Sequence, residues 1–338
     1  MCVKQLLQDK NILVIGGTGT IGQALTLEIL KYNPKVVRIY SRDEYKQFIM
    51  QQKLGQHSNI RFLLGDIRDK ERLGRAMHGI DIVFHLAALK HVPACEYNPF
   101  EAVKTNVMGT QNVIDCAINE QVERVIYTST DKAINPTNTM GATKLLAERL
   151  ISAADYSKGG KRPIFAAVRF GNVMGSRGSV IPLFKEQILK YRYITVTDPE
   201  MTRFMMSITE AVNLVLKASL YATGGEVFVL KMPVVRLGDL AEAVIEEVCE
   251  KYGIPQNEVQ VKKIGLRHGE KMYEELMTND ECLRADELEE MFRIEPVRQG
   301  IPYSLNKFIQ DCITDSLKAQ KYLTKEQIRE IMKNERFV

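Results

Sequence analysis

Asn11-Ile12-Leu13-Val14-Ile15-Gly16-Gly17-Thr18-Gly19-Thr20-Ile21-Gly22 decides the fold. Its first five residues form a short apolar run of the kind that makes a strand buried on both faces. The run stops at a glycine turn spaced G-x-x-G-x-x-G, with glycines at 16, 19 and 22. Thr18, Thr20 and Ile21 fill the positions between them, and a helical pattern follows over residues 21–32. Glycines at this spacing permit a tight turn, close approach of the backbone to a pyrophosphate, and packing of helix on strand. The pyrophosphate would then sit on the helix N-terminus, where free N–H groups and the helix dipole favour an anion. Dinucleotide binding is the expectation.

Outward from this turn the pattern repeats. Further strands are expected at 36–40, 61–64, 82–86, 124–128 and 164–169, with helices at 70–77, 99–119 and 141–156. Strands alternating with helices mean βαβ units, right-handed crossovers and a parallel sheet. The predicted fold class is α/β, a Rossmann-type doubly wound parallel sheet over residues 1–170. A smaller α+β substrate lobe is expected over 171–300, possibly discontinuous. It would contain strands at 194–197, 227–230 and 259–264 and helices at 181–191, 208–222 and 237–252. A charged helical extension is expected over 301–338, read mainly from 317–336.

Composition removes several function classes. The chain has 338 residues, 45% hydrophobic and 26% charged, which is ordinary globular material. A net charge of +4 gives no reason to invoke nucleic acid. No apolar run approaches the roughly 20 residues of a membrane span, and the N-terminus shows no signal-peptide pattern. Six scattered cysteines without a CxxC pair read as reduced thiols, so a cytoplasmic location is expected. Five unclustered histidines argue against a metal site.

The second strand ends in Tyr40-Ser41-Arg42-Asp43-Glu44. An acidic residue here would bind the ribose diol of NAD, whereas an arginine suits the 2′-phosphate of NADP. Arg42, with Ser41 and Lys46, favours NADP+, and Asp43 keeps NAD+ open. Asp66 and Ile67 are placed to flank the adenine, and Ala87 and Ala88 are small enough to let the cofactor pass. The fifth strand ends in Thr128-Ser129-Thr130-Asp131-Lys132, and Met140-Gly141-Ala142-Thr143-Lys144 opens the next helix. Lys144 there would hydrogen-bond the nicotinamide ribose and add positive charge beside a reacting hydroxyl. Asp131 and Lys132 offer an acid and a base in one pocket.

These stretches, with Ala87-Ala88-Leu89-Lys90-His91-Val92-Pro93 and residues 171–180, resemble the UDP-N-acetylglucosamine 4,6-dehydratases of bacterial polysaccharide and glycan biosynthesis. The resemblance runs from about residue 10 to 300. It implies a tightly bound cofactor, regenerated each turnover, that takes hydride from sugar C4 and returns it to C6. Thr130, with Lys144, would hold the 4-hydroxyl. Asp131 and Lys132 would share the protons at C5 and C6, with acid and base not assigned between them. The cofactor set it implies adds Lys90, Asn106 and Thr128. The UDP-sugar set is Lys90, His91, Asn172, Ser179, Val180, Thr195, Thr197, Arg203, Arg267 and Glu270. The wider superfamily has Tyr-x-x-x-Lys where this chain has Met140 before Lys144, and a thioether cannot exchange a proton. Long membrane-anchored dehydratases of the group are similar in carrying Met there. Residues 135–140, Asn-Pro-Thr-Asn-Thr-Met, resemble the members that retain configuration at C5. A C5-inverting dehydratase, a UDP-sugar epimerase, a 5,6-dehydratase and a non-catalytic dinucleotide sensor are the alternatives. The resemblance also implies a homo-oligomer, paired through the helices at 99–119 and 141–156.

Overall fold

The structure is a computed structural model that describes residues 2–160, 162–297, 322–335 and 337. Six parallel strands make its centre: β1 (Asn11–Ile15), β2 (Val36–Ser41), β3 (Ile60–Leu64), β4 (Ile82–His85), β5 (Arg124–Thr130) and β6 (Ile164–Phe170). They lie in the order β3-β2-β1-β4-β5-β6. The order reverses between β1 and β4, and ligands of such sheets bind at that switch point, beyond the carboxyl ends of the strands. β1 and β4 are buried on both faces, with Ile12, Leu13, Val14, Ile82, Val83 and Phe84 all without exposure.

Past Phe170 the chain alternates between two places. β7 (Asn172–Val173), β8 (Tyr193–Val196) and β9 (Thr202–Met206) begin the smaller lobe, but β10 (Val227–Leu230) returns to the main sheet, parallel to β6. β11 (Val234–Arg236) and β12 (Gln260–Lys263) go back to the smaller lobe, and β13 (Ala285–Glu287) and β14 (Met291–Ile294) finish the main sheet antiparallel. The expected boundaries at 170 and 300 therefore do not describe the molecule. Residues 227–230 and 285–294 extend the nine-stranded sheet. An apolar strand such as Val227–Leu230, buried at every position, finds its partner at the open edge of β6.

The smaller lobe has its own core, including Ile181, Phe184, Ile188, Leu240, Val244 and Val248 from helices Val180–Tyr191 and Leu237–Tyr252. Helix Lys325–Asn334 belongs to that core through Ile328 and Met332, and Arg329 pairs with Glu246, Glu247 and Glu250. It is part of the lobe rather than a separate extension. Residues 298–321, most of the expected extension, lie outside the described residues.

Four helices were not legible in the pattern, the short Val3–Leu7 and Asn279–Cys282 among them. Glu44–Leu54 is mostly polar and is started by Asp43, whose side chain accepts from Lys46 N. Val92–Tyr97 is one short turn with proline near its start. The helical run from 99 to 119 contains a π-helical segment, Val103–Met108. Such bulges aim individual side chains, here Asn106.

Candidate active site

β1 delivers Gly16 to the switch point with φ of +79°, and a Cβ there would stand 2.8 Å from Ala87 N. A Cβ on Gly22 would stand 2.6 Å from Gly16 O. Helix Thr20–Leu30 begins at Gly19 without a side-chain cap, so its first N–H groups remain for a ligand. These observations fit a dinucleotide pyrophosphate. The turn floors a cleft of about 820 Å³, at the upper end of the roughly 300–1,000 Å³ of small-molecule sites.

The cleft gathers most of the expected residues. Gly16, Thr18, Gly19, Thr20, Ile21 and Gly22 line one wall, with Ser41, Arg42, Lys46, Asp66 and Ile67 at one end. Ala87, Ala88, Lys90, His91, Thr128, Ser129, Thr130, Lys132 and Lys144 line the sheet side, and Asn172, Ser179 and Val180 face them. At the Ser41 end, Asp43 is engaged as a helix cap and pairs with Lys46, and those bonds hold its carboxylate below the usual range. Asp66 is gripped by Arg68 through both oxygens. Arg42 stands 3.7 Å from Asp66 with its side chain 57% exposed, so its guanidinium faces the cleft end largely free.

At the carboxyl end of β5 the geometry becomes chemical. Thr130 Oγ1 donates to Asp131 Oδ1 at 3.0 Å. Lys132 Nζ donates to that same oxygen and to Asn172 Oδ1, each at 3.0 Å. Asp131 is fully buried, and its other oxygen, Oδ2, has no partner among the described residues. Thr130 and Lys132 reach the cleft, whereas Asp131 stands behind them. Lys144 is buried against the Tyr127 ring, 4.2 Å from its centroid, and donates to Thr128 O at 2.5 Å. Burial pushes its pKa down to about 7, against the pull of Glu148. Met140 lines the cleft and packs with Cys95 and Ala102, so an apolar contact occupies the tyrosine position.

Besides Asp131, six expected residues do not line the cleft. Asn106 is 1% exposed: its amide accepts from Leu89 N and donates to Leu89 O and Thr143 Oγ1. It holds the loop after β4, so it supports the cofactor wall without facing it. Thr195 exchanges hydrogen bonds with Gln187, and Thr197 turns to Met201. Arg203 is occupied by the carbonyls of Thr202 and Lys271. Arg267 and Glu270 face each other, 3.9 Å apart, at the surface. Each side chain has found a nearer partner in its own lobe.

Two residues of the site were missed. Arg177 lines the cleft between Gly175 and Gly178, both at positive φ. Its guanidinium donates to Thr18 O, its N–H donates to Thr20 Oγ1 at 3.2 Å, and Lys90 Nζ donates to its carbonyl at 2.8 Å. The Gly-Ser-Arg-Gly run was its signal. Glu274 approaches Lys132 from behind, with Oε1 3.9 Å from Nζ. No local pattern marks it.

No helix among the described residues is long and apolar enough to cross a membrane. No group of three or more His, Cys, Asp or Glu among them is placed to hold a metal ion.

A doubly wound sheet, a glycine cradle at its switch point and an Asp-Lys pair beside a buried lysine define an NAD(P)-dependent enzyme of the extended short-chain dehydrogenase/reductase class. Within that class the chain belongs to the polysaccharide biosynthesis protein family, which matches residues 12–296. It is 45% identical to a UDP-glucose 4-epimerase of Rickettsia typhi, over 88% of this chain and 86% of that one. It is 42% identical to an inverting UDP-N-acetylglucosamine 4,6-dehydratase of Campylobacter jejuni, over 89% and 88%. Among solved structures it is similar to Pen from Bacillus thuringiensis, 51% identical, with a TM-score of 0.90 and coverage of 98% and 99%. The Campylobacter relative's name specifies inversion, which speaks against the C5 retention expected from residues 135–140.

Proposed function

We propose that the chain dehydrates UDP-N-acetylglucosamine across C5 and C6, giving a UDP-2-acetamido-2,6-dideoxy-hexos-4-ulose. The observation that carries this is the Thr130–Asp131–Lys132 chain of hydrogen bonds at the sugar end of the cleft. A 4-epimerase needs a hydride carrier and a base at O4. It has no use for a second acid–base pair. Elimination needs both a base for the C5 proton and an acid for the departing 6-hydroxyl, close together.

The dinucleotide, when bound, supplies a nicotinamide that takes hydride from C4 and returns it to C6. The chain's own residues do the rest. Lys144, held near neutrality by burial, draws the 4-hydroxyl proton while Thr130 orients that hydroxyl. The resulting C4 ketone acidifies C5–H. Lys132, on the cleft surface, removes that proton. Asp131, which accepts from both Lys132 and Thr130, relays the proton taken by Lys132 through the Thr130 hydroxyl to the 6-oxygen as the C6–O bond breaks, and C5 regains a proton as C6 takes the hydride. Lys90, His91, Asn172, Ser179, Val180 and Arg177 are the sugar and diphosphate contacts this pose supports. NADP+ is favoured, because Arg42 is available at the cleft end while Asp43 is engaged. Exposed Phe100, Met108 and Leu146 on the helices after β4 and β5 support pairing with a second copy.

The epimerase name of the Rickettsia relative is the reason for a second reading, 4-epimerisation. Mass spectrometry of the product separates the two. Dehydration lowers the substrate mass by one water without consuming added NADP, and epimerisation leaves the mass unchanged. NMR of the same product reads C5, where inversion is the expected result. Unaltered UDP-N-acetylglucosamine would contradict both readings.

A further inference from the structure

Lys132 has three N–H donors when charged. Two go to Asp131 Oδ1, behind the cleft wall, and to Asn172 Oδ1, on it. The third faces Glu274, whose carboxyl is 5% exposed and does not line the cleft. Glu274 Oε2 is buried without a partner among the described residues, as is Asp131 Oδ2. The segment carrying Glu274 is pinned on both sides: Lys271 Nζ donates to Ile134 O at 3.0 Å, and Arg169 donates to Leu276 O at 2.8 Å. One ammonium thus stands beside two buried carboxyls, neither of which lines the cleft.

A base for C5 must be a free amine. Asp131 Oδ1 already accepts from Thr130 and Lys132, whereas Glu274 Oε2 is unpartnered among the described residues and has room for a proton. We propose that Glu274 is a positioning residue that acts through Lys132: it takes the lysine's third proton on the side away from the cleft and leaves the amine free to attack C5–H. The transfer balances. A Lys132 N–H bond breaks, a Glu274 O–H bond forms, and no oxidant or reductant is involved. Burial raises the Glu274 pKa, Lys132 lowers it, Asp131 adds to the rise, and Arg203 and Lys271 oppose it; the sum is upward. These four are the charged groups that act on it from the surrounding elements.

This inference rests on the dehydratase reading for its kinetic consequence but not for its chemical one. Infrared difference spectra of the resting enzyme, wild type minus Glu274→Gln, need no turnover. A protonated carboxylic acid band near neutral pH, lost in the variant, is expected. Its absence from the wild type, or its persistence in the variant, would overturn the proposal whether or not UDP-N-acetylglucosamine is a substrate. In turnover, Glu274→Gln should lower kcat about a hundredfold at neutral pH, the scale of one lost proton transfer. KM should stay within about twofold, and the pH profile of kcat should differ from that of the wild type. Glu274→Asp should restore part of the rate. A Glu274→Gln enzyme with the wild-type pH profile, or one losing kcat and KM together at every pH, would contradict the role.

Discussion

Two buried charge clusters lie on neighbouring strands, where Ser129 of β5 pairs with Arg169 of β6, and they are built oppositely. Arg169 is fully buried, and all five of its N–H donors are used: on both oxygens of Glu148, both of Glu281, and Leu276 O. Its charge is held firmly, and the flanking carboxylates raise its already high pKa. The Thr130–Asp131–Lys132–Glu274 cluster is equally buried at its carboxylates yet leaves Asp131 Oδ2 and Glu274 Oε2 unpartnered. A satisfied cluster fixes structure, and an unsatisfied one keeps protons mobile. The first supports the second. Arg169 staples Leu276 and Glu281 to the sheet, which sets Glu274 behind Lys132.

The contrast breaks most sharply under substitution in the unsatisfied cluster. Lys132→Ala and Asp131→Asn should each lower kcat by roughly 10²–10⁴, the range of a lost general acid or base. Lys132→Ala also strips the buried Asp131 carboxylate of its cation and should lower the unfolding midpoint, whereas Asp131→Asn keeps an acceptor for Thr130 and Lys132 and should change it less. Steady-state kinetics and denaturant titration of the same preparations check both halves. Near-normal rates would remove this pair from the catalytic centre.

Arg169→Met should do the reverse. It strands Glu148 and Glu281 in the interior and should cost about 3–5 kcal/mol of stability by urea unfolding. Loss of turnover in the fraction that stays folded should be secondary. A stability loss below about 1 kcal/mol would mean that the cluster does not hold the returning segment in place.

A further test concerns Lys144: burial, the larger influence, brings its pKa down to about 7, while Glu148 pulls it up. An unfolded lysine titrates near 10.4, so the unfolded chain binds more protons between these values. Stability should therefore rise with pH from about 7 to about 10 on this account, and the slope should be absent in Lys144→Met. Urea midpoints across that range test it, and parallel curves for the two proteins would contradict it.

How much of this was legible in the sequence follows from where each signal lies. The glycine turn and Thr130-Asp131-Lys132 are local strings whose chemistry survives without a fold. The sheet's apolar runs were equally plain, because strands buried on both faces carry no ambiguity of phase. The helix at Glu44–Leu54 hid behind polar residues, although Asp43 and Lys46 already held its cap. Val227–Leu230 reads as a strand, but nothing in it says which sheet it joins. Arg203 and Arg267 came to the substrate set through the family resemblance, and in the structure each has a partner in its own lobe. Glu274 and Glu281 acquire meaning only when the returning segment reaches β5 and β6, a juxtaposition no spacing rule contains.

The central claim is that one cofactor carries one hydride from C4 to C6 while Asp131 and Lys132 remove water. UDP-N-acetylglucosamine deuterated at C4 tests it in a single product. A 4-keto sugar lighter by one water than the labelled substrate, with the deuterium on C6, is the expected product. Deuterium still at C4 in a product of unchanged mass, or a dehydrated product with no label at C6, would contradict it.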